Sequence, residues 1–134
     1  MTILYTSAFA LARQIKTREI SSVEVVNFFL DRITHFNPAL NAVVVLDSER
    51  ALQRAVEADA AAARGEDWGS LHGVPITIKD ALATKDLVTV GGIPDRAGQV
   101  PETDAVSVAR YRAAGAIILG KTNVPFMSAD LQSY

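Results

Sequence analysis

Lys121 and Lys79 both stand where a lysine could do chemistry. Lys121 belongs to the stretch GAIILGKT, Gly115 to Thr122, which matches the phosphate-loop pattern G-x-x-x-x-G-K-[ST]. In such a loop, backbone N–H groups converge on the anion and a helix starts at the Lys-Thr pair. Here Ala116 to Leu119 are strand formers with no glycine among them, and Gly115 reads as the cap of a preceding helix. After Thr122 comes Asn-Val-Pro, and a residue before proline is pushed out of the α region, so a helix through Val124 is disfavoured. The pattern therefore reads as a helix cap, a core strand and an exit turn. Lys121 is expected to be solvated or to pin a loop, and nucleotide binding through 115–122 is the lesser alternative.

Lys79 ends the run VPITIKD, where Ile76 and Ile78 alternate with Thr77 and Lys79. That alternation predicts a strand with one apolar face and one face carrying a hydroxyl and an amine. A lysine at a strand exit has two readings. It can be a surface cation paired with Asp80 or another acid, since lysines are mostly exposed. It can also lie among apolar neighbours, where desolvation favours the neutral amine and makes it usable as a base. Periodicity leaves both open.

The elements that would position these lysines can be read in order. Ser7 caps an amphipathic helix with Ala8, Leu11 and Ile15 on one face, and Ser21 with Glu24 forms a capping box for a second helix that stops near Asn37-Pro38. NAVVVL predicts a short buried strand, after which Asp47 caps an alanine-rich helix closed by Gly65. Between Ala81 and Thr103 the chain is rich in Gly, Pro and polar residues and reads as a long loop with one strand candidate at LVTV. Thr103 can cap a helix with Val106, Ala109 and Ala113 on one face, and AIIL is then a buried strand.

Composition narrows the function classes. The 134 residues are 49% hydrophobic and 21% charged, as in a folded globular domain, and no internal repeat occurs. Formal net charge is −2 and the basic residues are dispersed, which argues against nucleic-acid binding. Without cysteine there is no disulfide framework or thiol nucleophile, and His35 and His72 are too few for a histidine-rich metal site, so neither metal nor cofactor is expected. The apolar start is interrupted by Arg13, Lys16 and Arg18, which favours a cytoplasmic chain with no membrane anchor.

Two blocks in order, GSLHGVPITIKDALATKD and DAVSVARYRAAGAIILGKTNVP, resemble the opening half of the amidase signature family, which includes bacterial amidases, the A-type amidotransferase subunit that acts on glutamyl-tRNA, and fatty acid amide hydrolase. The resemblance implies an α/β fold, a mixed sheet with surrounding helices, of which residues 1–134 would be the N-terminal part of a single amidase domain: 1–65 mainly helical, 66–134 the first strands and a helix of the core. It implies a small-molecule amide as substrate and places the family's catalytic lysine at Lys79, working with a serine nucleophile and a second serine in a cis peptide. The family's glycine- and serine-rich stretch carrying those serines lies beyond SADLQSY, and Ser70, Ser107, Ser128 and Ser133 do not stand in such a context. Two local departures, TVGGIP in the loop and the missing glutamate in NVPFMSAD, suggest differences in substrate class. The chain alone is therefore expected to be inactive, and to self-associate through sheet edges left open. A truncated paralogue serving as an interaction module is the alternative.

Overall fold

The computed structural model describes residues 3–131. Ser133 lies outside them. The first helix, α1 (Ala8–Lys16), starts where the Ser7 hydroxyl accepts the Ala10 N–H at 3.2 Å. It buries Leu11, Ala12 and Ile15 against Val25 and Val74, while Ala8, expected on the same face, is exposed in the first turn before the helix reaches its neighbours. In α2 (Ser22–Leu40) the capping box forms as expected: Ser21 N–H donates to the Glu24 carboxylate at 2.8 Å and Glu24 N–H to the Ser21 hydroxyl at 3.0 Å. These bonds hold the Glu24 carboxyl below its usual range, the backbone bond from Ser21 being the larger cause. A second cap arrives from a distant part of the chain, for Asp59 accepts the N–H groups of Ser22 at 2.6 Å and Val23 at 3.1 Å. That satisfies two of the orphan donors every helix start carries.

Helix α2 does not stop at Asn37-Pro38 but continues to Leu40. Pro38 falls in the last turn, where its missing N–H frees a single carbonyl. The helix ends instead at Asn41, whose left-handed φ of 48° lets its N–H reach the Asn37 carbonyl at 2.7 Å. Asn37 also clamps the next element, its amide exchanging hydrogen bonds of 2.9 and 2.8 Å with the Val43 backbone.

Strand β1 (Val43–Leu46) leads into α3 (Ser48–Ala63), and β2 (Pro75–Lys79) is followed after a long loop by α4 (Val106–Ala113) and β3 (Ile117–Thr122). The sheet order is β1-β3-β2, with β1 antiparallel and β2 parallel to β3, so the sheet is mixed. Ile117 and Leu119 pack on one face against Val26, Leu30 and the alanine stripe Ala51, Ala55 and Ala58. Small residues along α3 let it lie close to both α2 and the sheet. Ile118 points to the other face, meeting Ile78, Leu87 and Val108.

Several expectations are corrected here. β1 is not buried: it is an edge strand whose Val44 and Leu46 face solvent. β3 is central in the described sheet and paired on both sides, as its reading as a buried strand implies. Asp47 stands at the start of α3 without capping it, because its carboxylate pairs with the Arg50 guanidinium at 2.7 Å. LVTV is not a strand: Val90 and Gly91 donate their N–H groups to the Asp80 carboxylate at 3.1 and 2.9 Å, so no ladder is available to them. α4 begins after Ala105, and it is Val108 that is buried while Val106, Ala109 and Ala113 face outward. Thr103 does not cap the helix, and the adjacent Asp104 ties the Lys85 N–H at 2.7 Å and Arg112 at 2.8 Å.

The two glycines of the phosphate-loop pattern have structural causes. Gly115 adopts a left-handed φ of 89° at the end of α4, where a Cβ would press on the His72 backbone. Gly120 faces the Val45 carbonyl as β1 crosses β3, leaving no room for a side chain. His72 is itself fully buried: its Nδ1 accepts the Trp68 N–H, so Nε2 carries the hydrogen donated to the Ala58 carbonyl, each at 3.0 Å. None of the described helices is long and apolar enough to cross a membrane.

Candidate active site

Strand exits, rather than the helices, bring the chemistry-bearing residues together. β2 and β3 run parallel, with Ile78 opposite Lys121 and Lys79 opposite Thr122. Both lysines therefore sit at the carboxyl ends of adjacent parallel strands, where ligands of open α/β sheets bind. Alternation then separates their side chains. Ile78 turns inward with Ile118 and Val108, and Lys79 with Thr77 is left exposed on the other face.

Among the described residues the Lys79 amine has no hydrogen-bond or ion-pair partner. The pairing with Asp80 that sequence adjacency suggests is not formed. Asp80 instead turns into the protein, where it is 4% exposed and accepts the Val90 and Gly91 N–H groups. The apolar surroundings considered for Lys79 are not met in this chain either. Its backbone, by contrast, is fixed: Asp80 N–H extends the ladder to the Thr122 carbonyl at 3.0 Å, and Leu82 N–H closes a turn on the Lys79 carbonyl at 3.0 Å.

Lys121 is the buried lysine. It is neither solvated nor in an exit turn, because β3 runs through it to Thr122 and its side chain is 0% exposed, but it does pin a loop, the other role expected of it. Its ammonium donates to the Leu82 carbonyl and the Thr89 hydroxyl, both at 2.7 Å, and lies 3.7 Å from the Asp80 carboxylate. Burial lowers its proton affinity below that of an ordinary lysine, against the opposing attraction of Asp80. With every donor turned into the fold, it offers nothing to a nucleotide phosphate. The pattern in GAIILGKT is spelled without the geometry of a phosphate loop.

Three of the seven described serines are engaged in structure. Ser7 and Ser21 cap helices, and the Ser22 hydroxyl donates to the Gly73 carbonyl at 2.6 Å. Ser128, in the short 3-10 turn Phe126–Ser128, has a buried hydroxyl without a partner and a left-handed φ of 56°. A cleft of about 390 Å³ opens at the other end of β3, and its arginines are already tied: Arg50 to Asp47 and the Asp86 carbonyl, Arg112 to Asp104 and the Lys85 carbonyl. Among the described residues no group of three or more His, Cys, Asp or Glu side chains could hold a metal ion.

The comparisons agree on one class of protein, enzymes that act on amide bonds. A family model described as Amidase matches residues 24–133. The chain belongs to the amidase signature family. It is 43% identical over 122 residues to a glutamyl-tRNA(Gln) amidotransferase subunit of Azoarcus sp. strain BH72, covering 91% of this chain and 25% of that protein. It is equally 43% identical over 122 residues to the indoleacetamide hydrolase of Bradyrhizobium diazoefficiens, covering 91% of this chain and 23% of that protein. Among solved structures, a fatty acid amide hydrolase superposes with a TM-score of 0.90 at 32% identity over 98% of this chain and 23% of its own. The peptide amidase of Stenotrophomonas maltophilia gives 0.83 at 34% identity over 90% and 25%. The chain thus spans about a quarter of the length of the curated relatives it matches.

Proposed function

We propose that the chain supplies the N-terminal part of an amide hydrolase of the Ser-cisSer-Lys type, with Lys79 as its general base. The observation that carries this reading is the placement of Lys79: an amine with no partner among the described residues, at the carboxyl end of a parallel strand pair, with its backbone held on both sides. The family match supports amide chemistry at large, and the relatives' names span a tRNA-linked amide and a small indole amide.

In the proposed reaction a serine hydroxyl attacks the substrate carbonyl while its proton passes through the bridging serine to the Lys79 amine. The C–N bond then breaks, the proton returns from Lys79 to the departing nitrogen, and the acyl group remains on the serine until water takes it. Backbone N–H groups beside the nucleophile would stabilise the oxyanion. Lys79 without the serine nucleophile has no acyl transfer to promote, so the 134-residue chain by itself is inactive. Exposure of Lys79 fits that reading, because the catalytic serines and the surface that would cover the amine come from outside this stretch.

The experiment reads the DNA beyond the Tyr134 codon and assays carboxamide hydrolysis by this chain and by the chain extended through that frame. Expected are no turnover from the short chain, and turnover from the extended chain that falls by about 10³-fold or more in Lys79→Ala, in line with removal of a general base. A stop codon at that point, or full activity in Lys79→Ala, overturns the assignment.

A further inference from the structure

We propose that Lys121 is a positioning residue for Lys79, the hub of a buried clamp that fixes the strand exit and the glycine loop relative to each other. The proposal rests on the catalytic reading of Lys79 and adds a device that the reading does not need in order to be stated. Three stretches of chain meet at the Lys121 ammonium. Leu82 brings the turn that follows Lys79, Thr89 brings the long loop, and Lys121 itself is anchored in the central strand.

Asp80 completes the clamp from the residue next to Lys79. Its backbone N–H bonds to Thr122 in the central strand, and its carboxylate faces Lys121 while gathering the N–H groups of Val90 and Gly91. The carbonyl of Leu82 binds Lys121 while its N–H binds the Lys79 carbonyl. A displacement of the Lys121 ammonium therefore reaches Lys79 through one turn, without passing through the core. A buried ammonium held by two hydrogen bonds and a nearby carboxylate is restrained in several directions at once. That makes it a rigid support for a base whose own amine must stay unengaged, and such support is what holds catalytic groups to productive geometry. Neither lysine replaces the other: Lys121 is enclosed and touches no reacting atom, whereas Lys79 is open.

Thr89 gives the cleanest test, because its hydroxyl can be deleted at nearly constant shape or kept in a smaller residue. In the 134-residue chain, Thr89→Val is expected to speed amide hydrogen exchange at Leu82, Val90 and Gly91 by roughly tenfold, and Lys121→Met by more, because it removes both ammonium hydrogen bonds and the charge beside Asp80, while Ile117 to Leu119 exchange as before. Thr89→Ser is expected to behave as the parent. In the extended chain, Thr89→Val is expected to lower kcat by about 10²-fold with KM nearly unchanged, the signature of a misplaced catalytic group, and Thr89→Ser to restore it. A uniform rise in exchange across the sheet, or no change at the loop, overturns the clamp. Unchanged kcat with a loosened loop overturns the positioning role. An extended parent chain without amide hydrolysis overturns the catalytic reading on which that role rests, and the exchange data then judge the clamp alone. Should Lys121→Met fail to fold, Thr89→Val by itself distinguishes the same outcomes.

Discussion

At the scale of single residues, charge and burial part company with sequence adjacency. Asp80 follows Lys79 in the chain, yet strand alternation sends the two side chains to opposite faces, and Asp80 is partnered by Lys121 from the neighbouring strand. Lys79 is legible as the residue of interest from the motif PITIKD, but its exposure is not, because periodicity states which face a side chain takes and not what covers that face. The burial of Lys121 escapes a sequence reading for a related reason, although loop pinning is among the roles its position suggests. Its burial comes from a loop that folds back over it, and no local signal announces a partner 32 or 39 positions away. Asp59 is similar: nothing in an alanine-rich helix marks a carboxylate that caps another helix. Asp59→Ala is expected to destabilise the chain by about 1 to 2 kcal/mol, as loss of a helix cap does, read as a lowered midpoint in urea. An unchanged midpoint would show that water replaces the carboxylate at no cost.

At the scale of elements, what sequence patterns specify well is the start of the first two helices and the three strands of the sheet. Ser7 and the Ser21–Glu24 capping box act at the positions their spacing implies, and VPITIK becomes a strand with Ile78 inward. Errors gather where an element borders the edge of the sheet or the long loop. The β-branched run of β1 reads as buried because valines dominate it, but its place beside β3 alone leaves one side of it to solvent. α4 is the sharpest case. Valine and alanine spacing offers two faces, and contact with Ile78, Leu87 and Ile118 selects the one that carries Val108. Val108→Ala is therefore expected to cost about 2 kcal/mol through lost burial and the cavity left behind, and Val106→Ala to stay within about 0.5 kcal/mol, as surface changes usually do. Equal effects of the two substitutions on the unfolding midpoint would contradict the observed phase of the helix.

At the scale of the whole molecule, the chain spans about a quarter of the length of the curated relatives it matches, and several features of the described structure are open. β2 is an edge strand in the described sheet, Lys79 is uncovered, and Phe126 and Met127 are exposed near the strand exits. An unpaired strand edge is a template for further pairing. We expect the isolated chain to self-associate through β2, observed as a concentration-dependent sedimentation coefficient. A single monomeric species across the concentration range would show that the helices and the long loop already shield the edge. The central claim is that Lys79 is the base of an amide hydrolase, and the most direct measurement compares hydrolysis of a simple carboxamide by the extended chain and by its Lys79→Ala variant at equal folded concentration. The account predicts turnover in the first and a loss of about 10³-fold or more in the second. Equal turnover in both would contradict it.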